Sequence, residues 1–119
     1  MKMTDTCVRV DNENGLNGLL KAKERAIALF YASWCPFCVK FLPVFESRAE
    51  SEGVSFLAIK DDQETMGDRY SVEVLPTVLF FEKGKVAKRL DGVLGVGLNE
   101  RQLTDFIHAC SAPTGSPNR

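Results

Sequence analysis

Two cysteines three residues apart, Cys35 and Cys38, are the side chains whose type and spacing point most directly to chemistry. They stand in Trp34-Cys35-Pro36-Phe37-Cys38, between an apolar run that reads as a buried strand and a segment that reads as an amphipathic helix. A helix start presents unpaired N–H groups and the positive end of the aligned peptide dipoles, and both favour a sulfur anion over a thiol. Cys35, just before the helix, is therefore expected to be reachable from solvent and to act as the attacking thiolate. Cys38, one turn inside and shielded, is expected to be the resolving thiol. Half of a zinc site is the alternative, but it needs two more ligands, usually a second C-x-x-C or paired histidines. Only Cys7, Cys110 and His108 remain, none of them paired by spacing. The expectation is a dithiol redox centre with no metal.

The elements that must position this pair follow from periodicity. Arg25–Tyr31 and Val54–Lys60 are short continuous apolar runs, the pattern of strands buried on both faces. Phe37, Phe41, Phe45 and Ala49 recur every four residues, with Leu42 beside them, predicting a helix from Phe37 to about Ser51. Pro36 suits its first turn; Pro43 lies inside it and is expected to bend it. Thr6–Val10 alternates weakly as a first strand, Asp11–Gly15 is a break, and Leu16–Lys23 reads as a short helix. Asp62–Tyr70 reads as a short polar helix. Thr77–Glu82 and Val86–Asp91 flank Lys83-Gly84-Lys85 as a hairpin. From Leu98 through Cys110, apolar residues at Leu103, Phe106, Ile107 and Cys110 mark the face of a last helix. Strands alternating with helices and closing on a hairpin imply an α/β fold with a mixed sheet and helices on both faces.

The chain has 119 residues, with 15 Lys plus Arg against 16 Asp plus Glu, a net charge of −1. This length fits one domain, expected over residues 1–111, with 112–119 as a disordered tail. The balanced charge carries no footprint for nucleic acid or an anionic membrane. The longest nearly apolar stretches, Ala26–Ala32 and Val74–Phe81, are far short of the ~20 residues of a membrane helix. The N-terminus has no apolar signal core, so a cytoplasmic location is expected, where structural disulfides are rare.

Around the cysteines, Phe30-Tyr31-Ala32-Ser33-Trp34-Cys35, Pro43, Leu75-Pro76-Thr77, Phe80-Phe81-Glu82-Lys83-Gly84-Lys85 and Asp91-Gly92 occur at a joint spacing that resembles the thioredoxin family, over about residues 5–110. The resemblance implies a thioredoxin fold with a central mixed sheet of four to five strands. It implies a cis bond before Pro76, turning the Leu75 backbone toward Cys35 to receive an extended substrate strand. It implies a docking surface of Trp34, Pro36, Phe37, Val74, Leu75, Pro76, Gly92 and Val93. The implied activity is protein disulfide reduction by a monomer with no bound cofactor. A dedicated reductase of the thioredoxin-reductase type, flavin- or ferredoxin-linked, would restore the dithiol. The same motif also fits a disulfide oxidase or isomerase, or a non-catalytic adaptor that only binds partners through the groove.

Two departures from the family pattern carry consequences. Pro36-Phe37 replaces the usual Gly-Pro and looks like a glutaredoxin, yet the glutathione-binding Gly-Gly-x-Asp stretch of that family is absent, so glutathione use is not expected. Leu29 and Leu57 stand where the family usually has a buried aspartate and its lysine partner. Without that carboxylate, activity is expected to depend less steeply on pH between 7 and 8 than in ordinary thioredoxins, with Asp61 as the nearest acid by chain position. Cys110 is expected to be a small buried hydrophobe, Cys7 a residue in or near the first strand, with a reactive role such as dimerisation by oxidation as the alternative, and His108 a solvated helix residue. Met66, Phe80 and Phe81 read as core. Asp61, Asp62, Glu64 and Asp68 read as a solvated helix face, since they lack the spacing of a calcium loop.

Overall fold

A computed structural model describes residues 7–49 and 54–111. The elements run β1 (Cys7–Val10), α1 (Glu13–Ala22), β2 (Arg25–Tyr31), α2 (Pro36–Ser47), β3 (Ser55–Lys60), α3 (Thr65–Asp68), β4 (Thr77–Glu82), β5 (Lys85–Leu90) and α4 (Glu100–Ser111). The five strands lie in the order β1-β3-β2-β4-β5. β3 pairs in parallel with both β1 and β2, whereas β4 runs antiparallel to β2 and to β5. The three central strands are covered on both faces, which is why their apolar residues run continuously.

Alternation along β2 divides the core. Ile27, Leu29 and Tyr31 face one side with Phe56, Ala58, Val78 and Phe80, under Phe41 and Phe45 of α2 and Leu103, Ile107 and Cys110 of α4. Ala26, Ala28 and Phe30 face the other with Leu57, Ile59, Leu79 and Phe81, against Leu16 and Leu20 of α1 and Met66 of α3. Phe45 and Phe56 meet at a centroid distance of 5.7 Å, tying α2 to the sheet.

β2 and β4 coincide with the sequence expectation; the other boundaries move for local reasons. α1 starts at Glu13, inside the expected break, because the Asn12 side chain accepts from the Gly15 N–H at 2.7 Å and caps it. α2 ends at Ser47, short of Ser51, and Pro43 lies within it. The polar helix expected over Asp62–Tyr70 shrinks to the single turn of α3. The hairpin closes on two residues, Lys83 (φ 53°) and Gly84 (φ 82°), the left-handed pair that a type I′ turn needs, so β5 begins at Lys85. α4 starts at Glu100 after a reciprocal cap: Gln102 N–H donates to the Asn99 side chain at 2.8 Å and Asn99 N–H to the Gln102 side chain at 2.9 Å. The strand start at Thr6, the helix stop at Gly53 and the tail 112–119 fall outside the described residues.

Candidate active site

The end of β2 feeds straight into the cysteine pair. Cys35 N–H donates to Ala32 O at 3.2 Å, closing a tight turn, and Val39 N–H donates to Cys35 O at 3.0 Å as α2 begins. Cys35 is the N-cap of α2, with extended backbone and Pro36 in the first turn. Its Sγ accepts from the Cys38 N–H at 3.3 Å, so the sulfur occupies the place of a capping oxygen at the positive end of the helix. Across the groove, Cys35 Sγ donates to the Leu75 carbonyl at 3.8 Å, and the Leu75–Pro76 peptide bond is cis, as the resemblance implies. The expected solvent access of Cys35 needs correction: the residue is 5% exposed, walled by its own turn and by the Leu75 backbone.

Cys38 is fully buried, in the cluster that holds Leu29, Phe41 and Val78. Burial first, then its hydrogen bond with Cys35 and the charge of Cys35, push its thiol up to about 12, against a backbone hydrogen bond from Ala32. No carboxylate contributes. Leu29 lies on the Cys38 side of the sheet, whereas Leu57 is in the opposite cluster and pairs in register with Ala28. Asp61, the nearest acid by chain position, is spent elsewhere. It is 2% exposed, and its carboxylate accepts from Met66 N–H at 3.1 Å and Gly67 N–H at 2.7 Å, holding the single turn of α3. Reading it as part of a solvated face is therefore wrong. With no buried acid beside Cys38 among the described residues, the rate of disulfide reduction is expected to depend less steeply on pH between 7 and 8 than in ordinary thioredoxins. A pH–rate profile with a pronounced inflection there would contradict this.

The expected docking residues gather around the sulfur. Trp34 is 58% exposed and Phe37 39%, Val74 and Leu75 are half-buried, Pro76 and Gly92 are buried, and Val93 is exposed. Thr77 pins two of these segments together, its hydroxyl donating to Val74 O at 2.5 Å and accepting from Gly92 N–H at 3.3 Å. Gly92 presses on the groove wall: a Cβ there would lie 2.2 Å from Pro76 O. Sequence reasoning missed the loop beyond Val93, which folds back through a Val93–Gly97 bridge, sets Gly97 against Phe37 and leaves Leu94 84% exposed. The signal was present, since Val93, Leu94 and Val96 are apolar residues among glycines. It also missed Ser33 and Asp62. Asp62 accepts from Ser33 N–H at 2.7 Å and Ser33 Oγ at 2.8 Å, and its main-chain carbonyl accepts from Trp34 Nε1 at 2.9 Å.

Cys110 is buried on the apolar face of α4 as expected, and His108 is exposed. Burial pushes the Cys110 thiol up to about 12 and the half-buried Cys7 thiol up to about 11, both from 9.0. Thiols stay protonated in the native state between pH 9 and 12 while those of the unfolded chain ionise, so the unfolded state binds fewer protons there. Stability is expected to be fully present below pH 9 and to fall above it. Urea midpoints at pH 8 and 10.5 check this, and Cys110→Ala should flatten the fall. An unchanged slope in that variant would refute it.

Among the described residues no group of His, Cys, Asp and Glu is arranged to hold a metal, and no helix is long and apolar enough to cross a membrane. A cysteine pair capping a helix at the end of a central strand, facing a cis-proline loop, stands here in a thioredoxin-type fold. The family model for thioredoxin matches residues 7–109, and the chain belongs to the thioredoxin family. It is 36% identical over 90 residues to protein disulfide-isomerase A5 of Bos taurus, covering 71% of this chain and 17% of that protein. It is 34% identical over 80 residues to the chloroplastic thioredoxin Y of Oryza sativa, covering 64% of this chain and 48% of that protein. A thioredoxin of Mycoplasmoides gallisepticum is 31% identical over 87 residues, covering 71% and 87%. The chain thus spans about a sixth and about half of the first two relatives. Among solved structures, a mutant thioredoxin of Halobacterium salinarum shares the fold with a TM-score of 0.75 at 24% identity, over 95% of this chain and 97% of that one.

Proposed function

We propose that this chain is a protein disulfide reductase working by thiol–disulfide exchange through Cys35 and Cys38. The observation that carries this reading is Cys35 Sγ held between the Cys38 N–H at the start of α2 and the Leu75 carbonyl, with the buried Cys38 one turn behind it. The Cys35 thiolate attacks one sulfur of a substrate disulfide, that S–S bond breaks, and the departing thiolate takes up a proton. Cys38 then loses its proton and attacks Cys35 Sγ, releasing the second substrate thiolate and leaving Cys35 and Cys38 oxidised to a disulfide. Two electrons pass to the substrate; because Cys35 reacts as the thiolate, the protein supplies one proton, from Cys38, and solvent supplies the other. Water or the departing thiolate takes the Cys38 proton, since Asp61 is engaged with α3. An extended segment of the substrate pairs with the Leu75 backbone, while Trp34, Pro36, Phe37, Val74, Pro76, Gly92 and Val93 form an apolar bed with few side-chain demands.

The reaction needs no bound cofactor. Family membership supports a reductase of the thioredoxin-reductase type as electron donor; a monomeric working form and a cytoplasmic location are part of the same proposal. The similarity to protein disulfide-isomerase A5 favours a second reading, oxidation or isomerisation of disulfides. Titrating the dithiol against redox buffers separates the two. A potential of about −270 mV fits the reductase, and one of about −120 to −180 mV overturns it in favour of the oxidase or isomerase. Insulin reduction that requires the dithiol excludes a purely binding role.

A further inference from the structure

We infer that Ser33 and Asp62 form a clasp that positions the Trp34–Cys35 turn and limits access to the Cys35 sulfur. The inference rests on the exchange reading for its effect on activity, but not for its effect on geometry. β2 and β3 part company after Tyr31 and Lys60, the last residues in their register, and one more bond follows them, Asp61 N–H donating to Tyr31 O at 2.7 Å. Beyond that point β2 enters the turn that carries Cys35, and β3 enters the loop before α3. Two free loops would leave the turn to its single internal bond, Cys35 N–H to Ala32 O.

The two adjacent aspartates divide the work of fixing them. Asp61 points inward and holds α3 by the Met66 and Gly67 amides, which anchors the backbone on which Asp62 sits. Asp62 points the other way and closes on Ser33 through both the amide and the hydroxyl, while its carbonyl takes the indole N–H of Trp34. Three bonds of 2.7–2.9 Å thus converge from one residue onto two consecutive residues of the turn. Two of them are made to a carboxylate, the stronger kind of hydrogen bond. The bonds to Ser33 draw the carboxylate below its usual range, so it is ionised, and the clasp closed, throughout the neutral range. Trp34 is left with its ring outward and its edge tethered, directly before a sulfur that is almost covered. Asp62 and Ser33 are positioning residues: neither touches the sulfur in the contacts described, and both act through the turn.

Trp34 is the single tryptophan of the chain, so its fluorescence reports the turn alone. The test compares wild type with Asp62→Ala, Ser33→Ala and Asp62→Asn, the last keeping an acceptor for the Ser33 amide and a donor for its hydroxyl. Acrylamide quenching of Trp34, iodoacetamide alkylation of Cys35 read by peptide mass, insulin reduction and melting temperature are measured on each. Opening the clasp should raise quenching and alkylation several-fold in both alanine variants. It should lower kcat/KM for insulin roughly tenfold, as expected when a reacting group is misplaced. Asp62→Asn should recover most of each, and the melting temperature of Ser33→Ala should stay near wild type. Quenching and alkylation unchanged in a folded alanine variant would overturn the clasp. If wild type fails to reduce insulin while quenching and alkylation shift as described, the clasp stands and the reductase reading falls.

Discussion

Replacing Cys38 by serine is expected to turn the protein from a catalyst into a trap. Cys35 retains its place at the start of α2, because what holds its sulfur is the Cys38 backbone N–H, which the substitution leaves intact. Attack on a substrate disulfide therefore proceeds, but no thiol stands behind it to release the product. Turnover should fall to background, and one equivalent of substrate should remain joined to Cys35, visible by non-reducing gel and released by dithiothreitol. Cys35→Ser should abolish turnover without any adduct. Adducts formed by Cys35→Ser would show that the order of attack is reversed, and none by Cys38→Ser with any disulfide protein would show that the assigned order is wrong.

The second large effect is expected at Gly92. A Cβ placed there would lie 2.2 Å from Pro76 O, and the neighbour is backbone that cannot swing aside. Gly92→Ala must therefore displace either the segment after β5 or the Leu75–Pro76 wall of the groove, and Thr77, bonded to both Val74 and Gly92, transmits the shift. The expected destabilisation is about 1–3 kcal/mol, typical of overpacking. The loss of kcat/KM for insulin should reach roughly a hundredfold, as for a displacement of about 1 Å at a reacting centre. Thermal melting and insulin reduction check both. Near-wild-type activity would mean that the groove wall has no part in catalysis.

What could be read before folding was what depends on near neighbours. β2 and β4 were legible to the residue because strands covered on both faces are apolar without interruption. The cysteine pair was legible because a turn and a helix start suffice to set its geometry. Boundaries at α1, β5 and α4 depended on a single cap or turn residue, Asn12, Lys83 or Asn99, which periodicity does not register. Asp61 and Asp62 look interchangeable in the sequence. One is buried and one is not because β3 alternates through Ile59 and Lys60 into them, and nothing local announces that Ser33, 29 residues earlier, will receive the second. The covered state of Cys35 was likewise invisible, since Leu75 reaches it from 40 residues away.

The antiparallel pairing of β2 with β4 separates two ends of the molecule. Phe30 meets Thr77 beside the dithiol, whereas Arg25 meets Glu82 at the far end, where the Lys83–Gly84 turn projects. An amine-directed tether at Lys83 or Lys85 would therefore anchor the protein to a bead or electrode with its reactive face turned outward. The tightest bend of the sheet is thus also its natural handle.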